Sequence, residues 1–84
     1  MSPDDAFTLN ALQLQYRELG IVLARLESAR ERYAPPPPAS WVGAARHAYA
    51  AALDALLATL DAGIAACRSA HQQTGLAIAI LNRG

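Results

Sequence analysis

Few side chains in this 84-residue sequence have types and spacings that could support chemistry. The two histidines, His47 and His71, lie too far apart in sequence to form a local metal pair. His71 follows Cys67 by one helical turn, so a zinc site shared between two copies of the chain is conceivable. A partly buried histidine at the end of a helical bundle explains the same residue without a metal. We therefore predict no metal site and no cofactor.

The patterns that are typical of enzymes are also missing from the sequence. It has no glycine-rich phosphate loop, no pair of acids at catalytic spacing, and no nucleophile beside a plausible base. We interpret Tyr16, Tyr33 and Tyr49 as core or interface aromatics with a polar tip. We predict that the protein is not an enzyme.

Composition limits the kinds of partner and the routes of export that we expect for this protein. Seven arginines balance seven acidic residues, so the net charge is zero and no basic footprint for nucleic acid or an anionic membrane is present. The acidic start, MSPDDAFTLN, does not resemble a signal peptide, and no apolar run approaches the roughly 20 residues that span a bilayer. These features do not fix the compartment; if the protein is exported, we expect secretion by a route independent of a signal peptide, with the protein cytoplasmic before export.

One segment must interrupt helical structure, because Pro35–Pro38 lack backbone donors and have a fixed φ. We predict a helix over about 3–33, a proline-rich turn over 34–43 and a second helix over about 41–82. The predicted fold class is therefore all-α: a two-helix antiparallel hairpin that forms a single domain over residues 1–84. The prolines are interpreted as a rigid connector, with a polyproline ligand for an adaptor domain as the alternative.

The residues that flank the helices have the types that begin helices. Ser2 is predicted to cap the first helix, with Pro3 as its first residue. Ser40 is predicted to cap the second helix, with Trp41 as its first residue. Gly43 then falls in the first turn, where its missing side chain would let another backbone or a large ring come close.

An apolar stripe on each helix predicts where the hairpin packs. On helix one, leucines recur every seven residues, with further apolar residues three or four positions away, as in a coiled-coil seam. On helix two the seam runs in three- and four-residue steps through Tyr49, Leu53, Leu56, Leu60, Gly63, Cys67, Ala70, Thr74, Ala77 and Leu81. The predicted hairpin core is Leu12, Tyr16, Leu19, Leu23, Leu26, Tyr49, Leu53, Leu56, Leu60 and Ile64.

Both helices carry more apolar surface than one hairpin can bury. Helix one has a second, narrower stripe, and helix two has an alanine-rich side that either only supports helicity in solvent or forms an interface. Helix two is also longer, so its last ten residues, from Gly75, are predicted to overrun helix one and either to dock on another chain or to fray. The predicted partner interface is Phe7, Leu14, Ile21, Leu76 and Ile80.

The turn and the residues after it resemble a known pattern. Trp41, Gly43, Ala45 and Tyr49 form W-x-G-x-A-x-x-x-aromatic between two long amphipathic helices. The whole chain is similar to the WXG-motif family, the small helical-hairpin proteins related to the early secreted antigenic target and handled by type VII (ESX) secretion systems. The resemblance implies that Trp41 and Gly43 form the turn, either as structural residues or, for Trp41, as a recognition residue.

For function, the resemblance implies a four-helix bundle made with a second copy or a related hairpin. Such a protein would be a type VII substrate, or the accessory partner of a larger effector with an N-terminal helical domain. The family's export signal, a tyrosine followed four residues later by an acid, is missing, since Gly20, Pro37 and Leu53 stand four residues after the tyrosines. A partner would have to supply it. The alternative is a cytosolic helical chaperone or adaptor that masks a hydrophobic helix of a larger protein.

Overall fold

The computed structural model describes residues 2–32 and 36–83, and these residues form two helices. Helix α1 spans Pro3–Arg32 and helix α2 spans Ala44–Arg83. The helices contact each other, and Gln15 meets Thr74 whereas Arg30 meets Asp61. Because residue numbers rise on α1 as they fall on α2, the pair is antiparallel. The predicted all-α helical hairpin is confirmed, as a rod with extents of 65 × 15 × 14 Å.

The start of α1 follows the capping rules that predicted it. The Asp5 amide donates a hydrogen bond of 3.2 Å to Ser2 Oγ, and the Ala6 amide donates one of 3.0 Å to the Ser2 carbonyl. Ser2 is therefore the N-cap, as predicted. Helix α1 is described to Arg32; Tyr33, to which the prediction assigned the helix end, lies outside the described residues, as do residues 34 and 35 at the predicted start of the turn.

The start of α2 differs from the prediction. The helix begins at Ala44 instead of Trp41, and Gly43 is the capping residue because its carbonyl accepts the first helical hydrogen bond, 3.0 Å from the His47 amide. Gly43 has φ of +61°, a conformation that a residue within a right-handed helix does not adopt. Ser40 instead lies in a turn that the Trp41 amide closes by donating to the Pro38 carbonyl, at 2.9 Å.

Helix α2 overruns α1 at its first turns, and not at its last turns as predicted. Contacts such as Tyr16 with His71 and Arg30 with Asp61 place Arg32 level with about residue 58 of α2. Residues 44–57 therefore extend roughly 20 Å beyond α1, and Trp41 contacts Tyr49 on this extension. The segment from Gly75 lies beside the early turns of α1.

The hairpin buries few side chains. Among the described residues, Ile64 at 7% exposure and Thr74 at 4% are the ones classed as buried. The Thr74 hydroxyl donates to the Ala70 carbonyl at 2.8 Å and accepts from Gln15 Nε2 at 3.1 Å, so its burial leaves no unsatisfied hydroxyl. The residues packed around these two are at most half-buried, and an isolated hairpin of this kind has little hydrophobic stabilisation.

Candidate interaction surface

Gly43 and Trp41 shape the turn, as the resemblance implied, but by a different mechanism. A Cβ atom added to Gly43 would have no atom within 4 Å, so the glycine is needed for its positive φ and not for close approach of a ring. Trp41 packs its ring edge against Tyr49, with centroids 5.6 Å apart at 79°. Trp41 is 40% exposed. Part of the indole therefore remains available to a partner.

Most of the predicted core side chains are buried or half-buried in the structure. The half-buried ones are Leu12, Leu19, Leu23, Leu26, Tyr49, Leu53 and Leu60, and Ile64 is buried. Tyr16 is 40% exposed but has a ring partner on α2. Leu56 is 51% exposed, so its place in the hairpin core is corrected.

The correction at Leu56 extends to Ala70, which is the other exposed residue of the predicted seam of α2. The least exposed residues of α2 belong mainly to two heptad series: one contains Leu53, Leu60, Cys67, Thr74 and Leu81, and the other contains Leu57, Ile64, His71 and Ile78. The series Leu56, Gly63, Ala70 and Ala77 lies about 60° from the first and about 100° from the second around the helix, and its members Gly63 and Ala77 are half-buried. Leu56 is exposed on the stretch of α2 that extends beyond α1.

Two aromatic rings and two glycines hold the helices close together. Tyr16 and His71 stack with ring centroids 3.9 Å apart and an interplanar angle of 14°. The His71 ring lies over Gly20, where an added Cβ would be 3.3 Å from Nε2, and the Tyr16 ring lies over Gly75, where an added Cβ would be 3.1 Å from Cε2. Each ring thus occupies the space that a side chain would fill on the facing helix.

This arrangement, which we call the ring pair, was missed by the sequence analysis. The available signal is an aromatic residue followed four positions later by glycine on each helix, at Tyr16 and Gly20 and again at His71 and Gly75. Residues four apart share a helix face, so each pattern places a ring and a gap side by side. Two such patterns in antiparallel helices are complementary.

The Cys67 and His71 side chains that raised the zinc hypothesis have separate partners in the hairpin. The Cys67 thiol donates to the Leu19 carbonyl at 3.6 Å, and His71 stacks on Tyr16. No cluster of three metal-ligating side chains occurs within residues 2–32 and 36–83. An open groove of about 760 Å³ borders the ring pair, and Gln13, Arg17 and Ile78 are among the residues that line it.

One broad side of the hairpin, the polar face, carries the ion pairs between the helices. Arg30 Nε lies 2.7 Å from an Asp61 carboxylate oxygen, and an Arg68 guanidinium nitrogen lies 3.0 Å from Glu27. All four side chains are well exposed, so each pair contributes about 1 kcal/mol or less. On α2 all charged residues fall within roughly 100° of the helix circumference; they are Arg46, Asp54, Asp61, Arg68 and Arg83.

The opposite broad side, the apolar face, carries small and aliphatic residues. On α2 it contains the series of Leu56 and Ala70, since Ala70 lies about 180° around the helix from Asp61. On α1 it contains Val22 and Ala29, because Ala29 lies about 160° from Glu27. Its defining residues are Val22, Ala29, Leu56, Gly63, Ala70 and Ala77.

The predicted partner-interface residues are all exposed, but they lie on the two edges of the hairpin. Phe7 at 77% exposure, Leu14 and Ile21 follow the outer side of α1. Leu76 and Ile80, at 55% and 66%, lie on the outer side of α2. Since the two edges point in opposite directions, one partner packed on a broad face would leave parts of both sets uncovered.

Helix α2 also meets the length and composition requirements of a membrane-spanning helix. An 18-residue stretch of it has mean hydropathy 1.6, and 6% of that stretch is buried in the hairpin. The prediction that no segment is apolar enough is corrected, because alanines raise the mean hydropathy without forming an uninterrupted apolar run. One such helix is weak evidence for a span, since helices at the core of a soluble bundle have similar composition.

Comparison of the chain with known protein families, curated proteins and solved structures gives no match. The resemblance to WXG-motif proteins therefore stays a prediction from the sequence pattern of the helices and the turn. The class that the fold defines is an all-α helical hairpin with a large exposed apolar surface.

Proposed function

We propose that this protein is a non-catalytic, WXG-like interaction protein that works as a homo- or heterodimer. In this proposal it is a type VII secretion substrate or the accessory partner of a larger secreted effector. The observation that carries the proposal is the mismatch between composition and burial. The chain is 54% hydrophobic, yet Ile64 is the only apolar side chain among the described residues that is classed as buried.

The exposed area supports pairing quantitatively. The chain exposes 6167 Å², whereas a compact monomer of 8.9 kDa exposes about 4,800 Å². If a partner covered this excess of roughly 1,300 Å² on each chain, the interface would bury about 2,600 Å² in total, which is the size range of obligate dimers. A second hairpin of similar length is the simplest partner that can cover so long a surface.

The turn supports the family part of the proposal. The Trp41 ring remains partly exposed beside Tyr49, and Gly43 takes a conformation that other residues rarely adopt. Both features limit which residues can stand at the tryptophan and glycine positions of the W-x-G pattern. The export part depends on the resemblance, with the tyrosine–acid signal assigned to the partner.

Two experiments test the two parts. Light scattering behind a sizing column should give a dimer mass for the chain alone, or a defined complex with the product of a neighbouring gene. A monomer under both conditions contradicts the pairing part. Deletion of the type VII locus should lower the extracellular level of the protein, and an unchanged level contradicts the export part.

A second candidate function is a cytosolic adaptor that masks a hydrophobic helix of a larger protein. It is favoured by the exposure of Leu76 and Ile80 on the outer side of α2, where a third helix could pack without displacing α1. Recovery of the protein only from the cytosol, bound to the N-terminal helices of an effector, would favour this function. In that case, Leu76→Gln with Ile80→Gln should release the effector while the hairpin stays folded.

A further inference from the structure

We propose that the open groove beside the ring pair is a binding site for a small organic acid, whose carboxylate is held by Arg17 and His71. The volume of the groove, about 760 Å³, lies within the roughly 300–1,000 Å³ of small-molecule sites. The proposal does not depend on pairing or on export.

Both helices build this groove. Besides the Tyr16 ring, its lining residues are spaced by four and then three positions on each helix, so each set lies on one helix face. These residues are Gln13, Arg17 and Gly20 on α1 and His71, Gly75 and Ile78 on α2. Because the ring pair joins the two helices at this level, the two walls keep their relative position in the folded hairpin.

Two of the lining side chains have donors without an intramolecular partner. Arg17 is exposed and forms no ion pair or hydrogen bond with residues 2–32 or 36–83. The half-buried His71 stacks on Tyr16 but forms no hydrogen bond with these residues either. Since none of their half-buried side chains has a nitrogen that is both unpartnered and shielded from solvent, both ring nitrogens of His71 are accessible. A guanidinium and an imidazole N–H are therefore available to an acceptor.

The charge of the groove selects an anion. No carboxylate is among its described lining residues, so the charge of Arg17 is uncompensated there. A neighbouring groove of about 440 Å³ differs, because Glu27, Glu31 and Asp61 line it and the ion pairs already use its charges. One free guanidinium matches the single charge of a carboxylate, which it can bind through two parallel hydrogen bonds. A phosphate group, with nearly two charges, would need a further cation.

Apolar surface in the same groove selects an anion with an apolar body. Tyr16 is 40% exposed, and Ile78 is half-buried. Gly20 and Gly75 add no side chain that would project over them. A ligand whose carboxylate lies at Arg17 can therefore cover part of the tyrosine ring and of Ile78, which contributes hydrophobic binding energy.

Nuclear magnetic resonance of the full-length chain tests the site directly. Benzoate is the probe, benzamide is its neutral counterpart of similar shape, and acetate is a carboxylate without the ring. The Cε1–H signals of the two histidines are followed at constant pH and ionic strength. His71 lines the groove, whereas His47 lies about 36 Å away along α2 and serves as the internal control.

Benzoate should shift the His71 signal saturably and leave the His47 signal in place, and benzamide should give no saturable shift. Acetate should bind about fivefold more weakly than benzoate, because it lacks the apolar ring. The absence of saturation with benzoate, an equal response to benzamide, or a larger response of His47 than of His71 overturns the site. Equal affinity for acetate assigns the groove to an acidic side chain of another protein, and tighter binding of inorganic phosphate assigns it to a more highly charged ligand. Either result overturns the choice of a small organic acid.

Two arginines of α1 allow a matched pair of variants. Arg17→Gln removes the free cation, and the hairpin should stay folded because Arg17 has no partner within the described residues. Arg25→Gln makes the same change at another exposed position that does not line the groove. We expect Arg17→Gln to weaken benzoate binding at least about tenfold and Arg25→Gln less than about twofold. Circular dichroism checks that both variants are helical, and equal weakening by the two variants would reduce the binding to a general charge effect and overturn the proposal.

Discussion

The ring pair predicts that Gly75→Ala destabilises the protein, although alanine is normally the better residue within a helix. A new Cβ at position 75 would lie 3.1 Å from Tyr16 Cε2, so the tyrosine ring must shift by a few tenths of an ångström. The shift moves the ring against His71, on which it is stacked at 3.9 Å. Crowding of this kind costs about 1–3 kcal/mol and weakens an aromatic pair worth about 1 kcal/mol.

The opposing effect is the helix propensity of alanine, which favours it over glycine by about 1 kcal/mol. The net expectation is therefore a loss of about 1 kcal/mol in the free energy of unfolding. Urea denaturation followed by far-ultraviolet circular dichroism measures it, at one fixed protein concentration for all variants. Gly20→Ala should show a smaller effect in the same direction, since its Cβ would lie 3.3 Å from His71 Nε2.

A double-mutant cycle separates crowding from propensity. In a Tyr16→Ala background the obstructing ring is gone, so Gly75→Ala should stabilise by about 1 kcal/mol. The coupling between positions 16 and 75 should then be about 2 kcal/mol. If Gly75→Ala is stabilising in the wild-type background as well, the tyrosine ring does not occupy that space in solution and the ring pair does not set the spacing of the helices.

Three further predictions concern pairing and the turn. Because few apolar side chains are buried in one hairpin, the midpoint of thermal unfolding should rise with protein concentration, and a midpoint that stays constant over a hundredfold range would contradict coupled folding and pairing. Gly43→Ala should lower the free energy of unfolding by about 1 kcal/mol through backbone strain alone. Gly43→Asn should lower it less, because asparagine tolerates positive φ. Equal losses for the two variants in urea denaturation would argue against the left-handed conformation. Trp41→Ala should cost about 1–2 kcal/mol, below the roughly 3 kcal/mol of a fully buried aromatic residue, because the ring is 40% exposed. If thermal stability is unchanged while extracellular protein falls, Trp41 is a recognition residue instead.

Local sequence signals were sufficient for the hairpin and for one of its two helix starts. Ser2 and Pro3 determine the start of α1 because capping depends on adjacent residues only. The same type of signal at Ser40 failed, since Gly43 adopts a positive φ that ends any helix before it. A glycine three residues after a potential cap is compatible with either start, and only the path of the connection between the helices distinguishes them.

Properties that depend on how the two helices meet were less predictable. The seam of α2 could include either Leu56 or Leu57, because both fit a three- or four-residue step from Leu53 and Leu60. The choice follows from side-chain size summed over the whole helix, where Ile64 and Ile78 outweigh Gly63 and Ala77. The end at which α2 overruns α1 depends on how the chain connects the two helices, which periodicity does not report.

The ring pair determines which surface is left for a partner. Stacking of His71 on Tyr16 fixes the rotation of α2 about its own axis, because His71 belongs to the series that faces α1. With that rotation fixed, Ala70 must lie about 100° away, on the apolar face. A substitution that disrupts the stack without touching the apolar face, such as Gly75→Ala, should therefore weaken self-association as well as the hairpin. In that variant the dissociation constant of the dimer should rise and the free energy of unfolding should fall. A lower free energy of unfolding with an unchanged dissociation constant would show that other contacts set the rotation of α2.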